Sequence, residues 1–202
     1  AQKFKVTDPG SVYVEYGQRQ KFVQTVSDGE RLSEIKLTNG LQQVKSDRID
    51  KVYFLQGHGE LPLQAGQEAL SVAVQSLEDK NYKSEPLNLT ERTQVPTDAS
   101  VVVVAGPKQG LFEAEVTALK DYLRRGGSVL LMVNPNTNPG LDSLLQEWGV
   151  KLDNRLVINA SNQQVRGFGA AAALVSQYGD HPITKDFSNR YSFYPFARAI
   201  EI

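Results

Sequence analysis

The stretch Val52-Tyr53-Phe54-Leu55-Gln56-Gly57-His58-Gly59-Glu60 constrains the fold more than any other part of the chain. An apolar run with β-branched and aromatic members stops abruptly at a glycine-flanked histidine, and a glutamate follows. A buried strand that ends in a glycine loop is the unit from which open α/β sheets build their ligand sites. The pattern recurs downstream. Ser100-Val101-Val102-Val103-Val104-Ala105 is apolar along its length, which predicts a strand covered on both faces of a parallel sheet. Gly106-Pro107 ends it. Ser128 to Val133 predicts another buried strand, ending at Asn134-Pro135.

Helical patterns separate these strands. Ala65 to Lys80 places Leu70, Val74 and Leu77 on one face. Phe112, Val116, Leu119 and Leu123 form the clearest apolar stripe, with Glu113 and Glu115 near its start and Arg124 and Arg125 near its end, as the helix dipole favours. Gly126 or Gly127 supplies the stop. Leu141, Leu144, Leu145 and Trp148 predict a short helix. Tyr82 to Leu89 and Leu156-Val157-Ile158 read as further strands. Tyr191 to Ile202 is strand-like and interrupted by Pro195.

Strands alternating with helices of this length indicate an α/β fold of flavodoxin-like type, a largely parallel sheet with helices on both faces. The first residues differ. Val12 to Tyr16 and Lys21 to Val26 read as a hairpin around Gly17. Leu32, Ile35, Leu41 and Val44 then fit a helical face, although Asn39-Gly40 inside it predicts a short or broken helix. We therefore expect a small β-hairpin and helix segment over residues 1–48 and an α/β domain over 49–202. Phe4-Lys5-Val6 at one end and Ala197 to Ile202 at the other are also strand-like, as in a piece of a longer protein.

Composition narrows the function classes. The 22 basic and 23 acidic residues are mixed along the 202-residue chain and give a net charge of −1. Nucleic-acid binding needs a clustered positive footprint, which this sequence lacks. Nor is there a polybasic segment for an anionic membrane surface or an apolar run of transmembrane length. Cysteine is absent, which removes disulfides, thiolate metal sites and any cysteine nucleophile. No phosphate-binding Gly-Lys-Ser/Thr loop occurs, and no Gly-x-Ser-x-Gly elbow.

If the three strands are parallel, their loops share one edge of the sheet, the default binding cleft of such folds. The candidate ligand- or partner-binding residues are Gly57, His58, Gly59, Glu60, Gly106, Pro107 and Asn134. His58 and Glu60 are two apart and would point the same way along a strand. They could serve as an acid–base pair or as two metal ligands. The alternative is that both bond to loop backbone and hold a turn. Two ligands do not make a catalytic zinc site, and the second histidine, His181, is followed by Pro182. We assign no catalytic residue, no metal and no cofactor. Gly167-Phe168-Gly169-Ala170-Ala171-Ala172 has the glycines of a dinucleotide fingerprint but not the preceding strand. Tyr191, Phe193, Tyr194 and Phe196 could stack a sugar or meet a partner. Packing of a strand is the commoner role for such aromatics.

The run Lys51 to Glu60 resembles the signature of the GldG-like family, auxiliary proteins of gliding-motility-type ABC transporters. Leu37-Thr38-Asn39 before it, Ala105-Gly106-Pro107, Leu123-Arg124-Arg125-Gly126-Gly127, Asn134-Pro135 and Trp148-Gly149-Val150 after it follow the same order. The resemblance covers about residues 10 to 160. It implies an amidotransferase-like central domain, also shared with an intraflagellar transport protein. It implies a bacterial protein anchored in the membrane through segments absent from this chain, with this domain on the extracytoplasmic, periplasmic side. It implies ABC permease and ATPase subunits as partners, with a polysaccharide as a possible ligand. Amidotransferases of that fold use a cysteine with His and Glu, so the resemblance implies a non-catalytic accessory domain that binds a partner subunit or a surface ligand. Two alternatives stand beside it: a carbohydrate-binding module, and a metal-assisted hydrolase using His58 and Glu60. Gly40 stands where the family pattern has Ala.

Overall fold

The computed structural model describes residues 8–45, 49–159 and 169–202. The strand-like Phe4 to Val6 and the first glycine of the Gly167-Phe168-Gly169 pattern lie outside the described residues. Fourteen elements follow in order: β1 (Ser11–Tyr16), β2 (Arg19–Thr25), α1 (Glu34–Lys45), β3 (Asp50–Leu55), α2 (Ser71–Glu78), β4 (Tyr82–Leu87), β5 (Ala99–Ala105), α3 (Glu113–Arg124), β6 (Val129–Met132), α4 (Asp142–Glu147), β7 (Lys151–Leu156), β8 (Ala172–Val175), β9 (Ser192–Pro195) and β10 (Arg198–Glu201). The architecture is α/β. A central parallel sheet has the order β4-β3-β5-β6, and β1-β2, β7-β10 and β8-β9 form two-stranded antiparallel sheets.

Two compact units divide the chain. One comprises Ala1–Phe54, Pro62–Pro86 and Pro96–Val102; the other comprises Leu55–Leu61, Leu87–Val95 and Val103–Ile202.

In the first unit β1 and β2 make the expected hairpin, with Tyr16 opposite Arg19 across Gly17-Gln18. Val14 and Gln24 are its buried side chains. The Gln24 amide is bonded at both ends: its Nε2 donates to Arg31 O at 2.8 Å and its Oε1 accepts from Ser33 N at 3.0 Å. A buried polar group satisfied in this way costs little. The chain entering α1 is thereby tied to the hairpin. Helix α1 runs unbroken through Asn39-Gly40, so the expected break does not occur. A Cβ on Gly40 would sit 3.0 Å from Val23 Cγ2 and 3.3 Å from Val14 Cγ2. The glycine is a packing residue that lets the helix close onto the hairpin, and this contact offsets its low helix propensity.

Three further expectations change. The helix predicted from Ala65 begins only at Ser71. Residues 62–70 form a loop instead, closed by Leu70 N donating to Pro62 O and passing through Glu68 at a positive φ of 53°. Strand β6 is not buried on both faces: Leu130 and Met132 are exposed, because β6 is the edge of the sheet. The late strand lies at Lys151–Leu156, earlier than predicted, where it pairs antiparallel with β10. Val157 and Ile158 follow it and are exposed.

β5 forms as expected and is fully buried over its second half. Val102, Val103, Val104 and Ala105 are consecutive and all buried. Burying each valine side chain is worth about 1.5–3 kcal/mol relative to leaving it in water. Helix α3 contributes Val116, Ala118, Leu119 and Tyr122 to the buried set. Among the described residues no helix is long and apolar enough to cross a membrane.

Candidate functional site

The loops after β3, β5 and β6 come together in the second unit, held largely by main-chain hydrogen bonds. Leu61 N donates to Ala105 O at 3.0 Å, and Gly106 N to Met132 O at 2.7 Å. Lys108 N and Gln109 N both donate to His58 O, at 2.8 and 3.1 Å. Two glycines make this convergence possible. Gly59 has φ of +78°, and a Cβ there would lie 3.2 Å from Lys108 Cβ. Gly106 has φ of +63°, and its Cβ would lie 3.5 Å from Leu61 Cγ and 3.9 Å from Asn134 Nδ2. Left-handed backbone is strained for residues that carry a Cβ, so glycine suits both positions.

Within this knot lies a buried ionic cluster. The His58 side chain is 2% exposed, that of Glu60 0% and that of Glu115 2%. Glu60 turns back on its own loop. Its Oε2 accepts from His58 N at 2.7 Å, while its Oε1 lies 3.3 Å from His58 Nδ1. On the other side of the imidazole, Nε2 lies 2.9 Å from Glu115 Oε2. That approach is close but outside hydrogen-bond alignment, and Glu115 Oε1 has no hydrogen-bond partner among the described residues.

Glu115 reaches the cluster because of its place in α3. It is the third residue of the helix, and its Oε2 also accepts from Phe112 N at 2.8 Å. This is the glutamate half of a capping box; Phe112 has no side-chain acceptor to complete it. The Phe112 ring packs edge-on to His58 with ring centres 5.6 Å apart. One glutamate thus caps α3 and holds the β3 loop through His58.

The chemistry follows from the donor count. A neutral imidazole carries a proton on one nitrogen, whereas an imidazolium donates from both. Here a carboxylate faces each nitrogen and the side chain is 2% exposed, so neither ring nitrogen is open to an outside substrate. The two nitrogens point to opposite sides of the ring, and the two carboxylates therefore do not converge on a common point. Among the described residues no group of three or more His, Cys, Asp or Glu side chains is placed to hold a metal ion.

The structure distributes the sequence candidates in two ways. His58, Glu60, Gly106 and Pro107 are buried; Gly57, Gly59 and Asn134 are exposed. His181 stands apart, exposed in a turn, with its Nδ1 accepting from Ile183 N at 3.1 Å. Glu115 and Phe112 escaped sequence reasoning as members of the site. The available signal was a glutamate three residues after the residue that precedes the helix, the capping position.

A model of the family described as ABC-type uncharacterized transport system matches residues 50–197. The chain belongs to this family. The chain also resembles the intraflagellar transport protein 52 homolog of Mus musculus, at 29% identity over 100 residues. That match covers 48% of this chain and 23% of the mouse protein, so the chain spans less than a quarter of the length of the curated relative it matches. Among solved structures the mmIFT52 N-terminal domain is similar, at 24% identity and a TM-score of 0.59. That likeness covers 75% of this chain and 68% of the other, and it bears on the fold.

Proposed function

We propose that this auxiliary domain works without catalysis, as an extracytoplasmic platform on which a subunit of its transport system docks. The buried cluster carries the reading. The side chains best suited to proton transfer, His58, Glu60 and Glu115, are engaged with one another and closed off from solvent. The same loops present Gly57, Gly59, Lys108 and Asn134 at the surface, on a backbone cross-linked by main-chain hydrogen bonds. A rigid surface of this kind loses little entropy when a partner binds.

The order of motifs from Lys51 to Val150 supports a GldG-like member of the family and a place in a gliding-motility-type system. An amidotransferase-like ancestry is compatible with the sheet and the glycine loops, and the chain has no cysteine to serve that chemistry. The partners are then the ABC permease and ATPase. The permease would meet the loop edge, and anchoring would come from segments outside this chain.

Purification of the full-length protein from its native membrane in mild detergent tests the reading. Permease and ATPase should co-purify in near-equal amounts. Lys108→Glu, at an exposed position, should reduce their recovery and leave the unfolding midpoint unchanged. Intact, abundant bait without either subunit would sink the proposal. For the compartment, protease added to intact spheroplasts should cleave the domain; cleavage only after lysis would contradict an extracytoplasmic location.

A further inference from the structure

A second feature of the same unit is built differently from the closed cluster. After β6 the loop through Asn136 and Asn138, the start of α4, and strands β7 and β10 enclose a cleft of about 290 Å³. Its volume is at the small end of ligand pockets, which run from about 300 to 1,000 Å³. Its lining is mostly polar, with Pro139 and Leu152 as the apolar members.

Arg198 holds the cleft open. Its Nε donates to Asp153 O at 2.6 Å, its Nη1 to Thr137 O at 2.8 Å and Asn134 O at 3.2 Å, and its Nη2 to Asn154 Oδ1 at 2.6 Å. A guanidinium has five N–H donors, so these bonds leave one. Such an arginine fixes the loop to β7 but cannot offer the two parallel donors that a phosphate or carboxylate takes.

What remains is a set of uncommitted groups. The Asn154 oxygen is taken by Arg198, and the Asn138 oxygen accepts from Gly140 N at 2.9 Å. In both amides the oxygen is thus committed and the NH2 group is the part left to donate. Among the described residues, the Asn136 amide and the Asp142 carboxylate have no hydrogen-bond partner, and both line the cleft. Amide donors beside one carboxylate acceptor match adjacent hydroxyl groups, each of which accepts one hydrogen bond and donates another. Arg198 and Asp142 balance in charge, which favours a neutral ligand over an anion.

We propose that this cleft binds one unit of a neutral sugar through a pair of vicinal hydroxyls, with Asp142 accepting from them and Asn138 and Asn154 donating to them. This goes beyond the docking role and does not depend on it. The test is titration of the full chain with maltotetraose, cellotetraose, chitotetraose and mannotetraose. Nitrogen–proton correlation spectra give the location and calorimetry the affinity. At least one sugar should shift the amides of 136–142, 152–154 and 198. Asp142→Asn and Asn154→Ala should each weaken that sugar at least about tenfold, the loss expected for a hydrogen bond to a charged group or a fixed amide. Asp142→Asn, at a side chain with no protein hydrogen bond among the described residues, should leave the unfolding midpoint unchanged. Three results overturn the proposal: none of the four sugars shifts these amides, a shift survives Asp142→Asn undiminished, or a uronic-acid tetramer binds more tightly than every neutral one. Loss of permease recovery with sugar binding intact would break only the docking proposal.

Discussion

Two ionic clusters in this protein use the same chemistry in opposite settings. In one unit Glu60, His58 and Glu115 are buried together. In the other, Lys51 pairs with Asp98 at the surface, and the Tyr53 hydroxyl donates to the same carboxylate at 3.1 Å. Each consists of three ionisable groups linked across distant parts of the sequence. Solvent separates them. Two unit charges 4 Å apart interact by about 1 kcal/mol in water and about 4 kcal/mol at an effective dielectric of 20. Burial also removes the alternative of water as a partner, so a missing member costs more than the pair was worth. The buried cluster is thus a structural commitment, and the surface cluster is an adjustment.

The largest expected effect tests that commitment. Glu115→Ala removes the carboxylate beside His58 Nε2 and the acceptor for Phe112 N together. Breaking a buried pair in this way costs about 3–5 kcal/mol, read from urea unfolding. Glu115→Gln keeps an acceptor for Phe112 N and should cost less, about 1–3 kcal/mol, the penalty for an imperfectly satisfied buried group. If both variants lie within 1 kcal/mol of the parent, on the scale of an ordinary surface substitution, the cluster is not what holds the loops and the contrast fails.

Next in size is the backbone that makes the burial possible. Gly59→Ala forces a Cβ into left-handed backbone and against Lys108. The backbone strain alone is about 1–2 kcal/mol. Gly17 is also left-handed, at φ +61°, but has open space around it. Gly17→Ala should therefore cost less than Gly59→Ala in the same unfolding measurement. Equal losses would mean that the contact with Lys108 adds nothing and that only the dihedral matters.

Glycines also show what the sequence could reveal. The β3 and β5 strands were legible because consecutive apolar residues have few other ways to be buried; β3 ends with one residue, Gln56, left before Gly57, and β5 ends directly before Gly106. The start of α2 was not legible, because the periodic residues Leu70, Val74 and Leu77 all lie at or beyond residue 70 and do not fix where the helix begins. Gly40 misled for a different reason. Its low helix propensity is local, whereas the two valines that require it belong to strands β1 and β2. The site was half legible. His58 and Glu60 stood out between glycines, and a turn-holding role was one of the two readings open for them. Glu115 looked like an ordinary dipole residue of α3. Nothing local tied it to His58, because that contact exists only once the loops have folded together. The Asn-rich cleft was invisible for the same reason: Arg198 reaches back from the last strand to assemble it.

At the surface cluster the expected effects are small. Lys51 holds the Asp98 carboxyl below its ordinary range through their hydrogen bond, with Tyr53 adding to the effect. Asp98 in turn raises Lys51 by the same bond, and burial pushes Tyr53 up, aided by Asp98. Asp98→Asn should change the unfolding midpoint only slightly, and raising the salt concentration should erase the difference, because exposed pairs are screened. A salt-resistant loss as large as that of Glu115→Gln would erase the distinction between the two clusters.

The smallest effect gives the sharpest measurement. Asp153, also at the surface, accepts from the Arg155 backbone N–H at 2.7 Å and its Nε at 2.8 Å. The Arg155 side chain first, then its backbone N–H, brings the carboxyl down from its ordinary 3.8 to about 2. A folded value below the unfolded one adds stability that is complete above the unfolded value and is lost as pH falls through the folded one. The window here runs from about 3.8 down to about 2. Carbon-detected titration of the carboxyl should place Asp153 near the lower figure, and Arg155→Gln should return it toward the upper one. As pH falls through that window, the stability of the parent should drop more steeply than that of Arg155→Gln. An Asp153 that titrates at its ordinary value would show that even a doubly bonded surface carboxylate gains nothing from its partner. The contrast with the buried cluster would then be one of kind, not of degree.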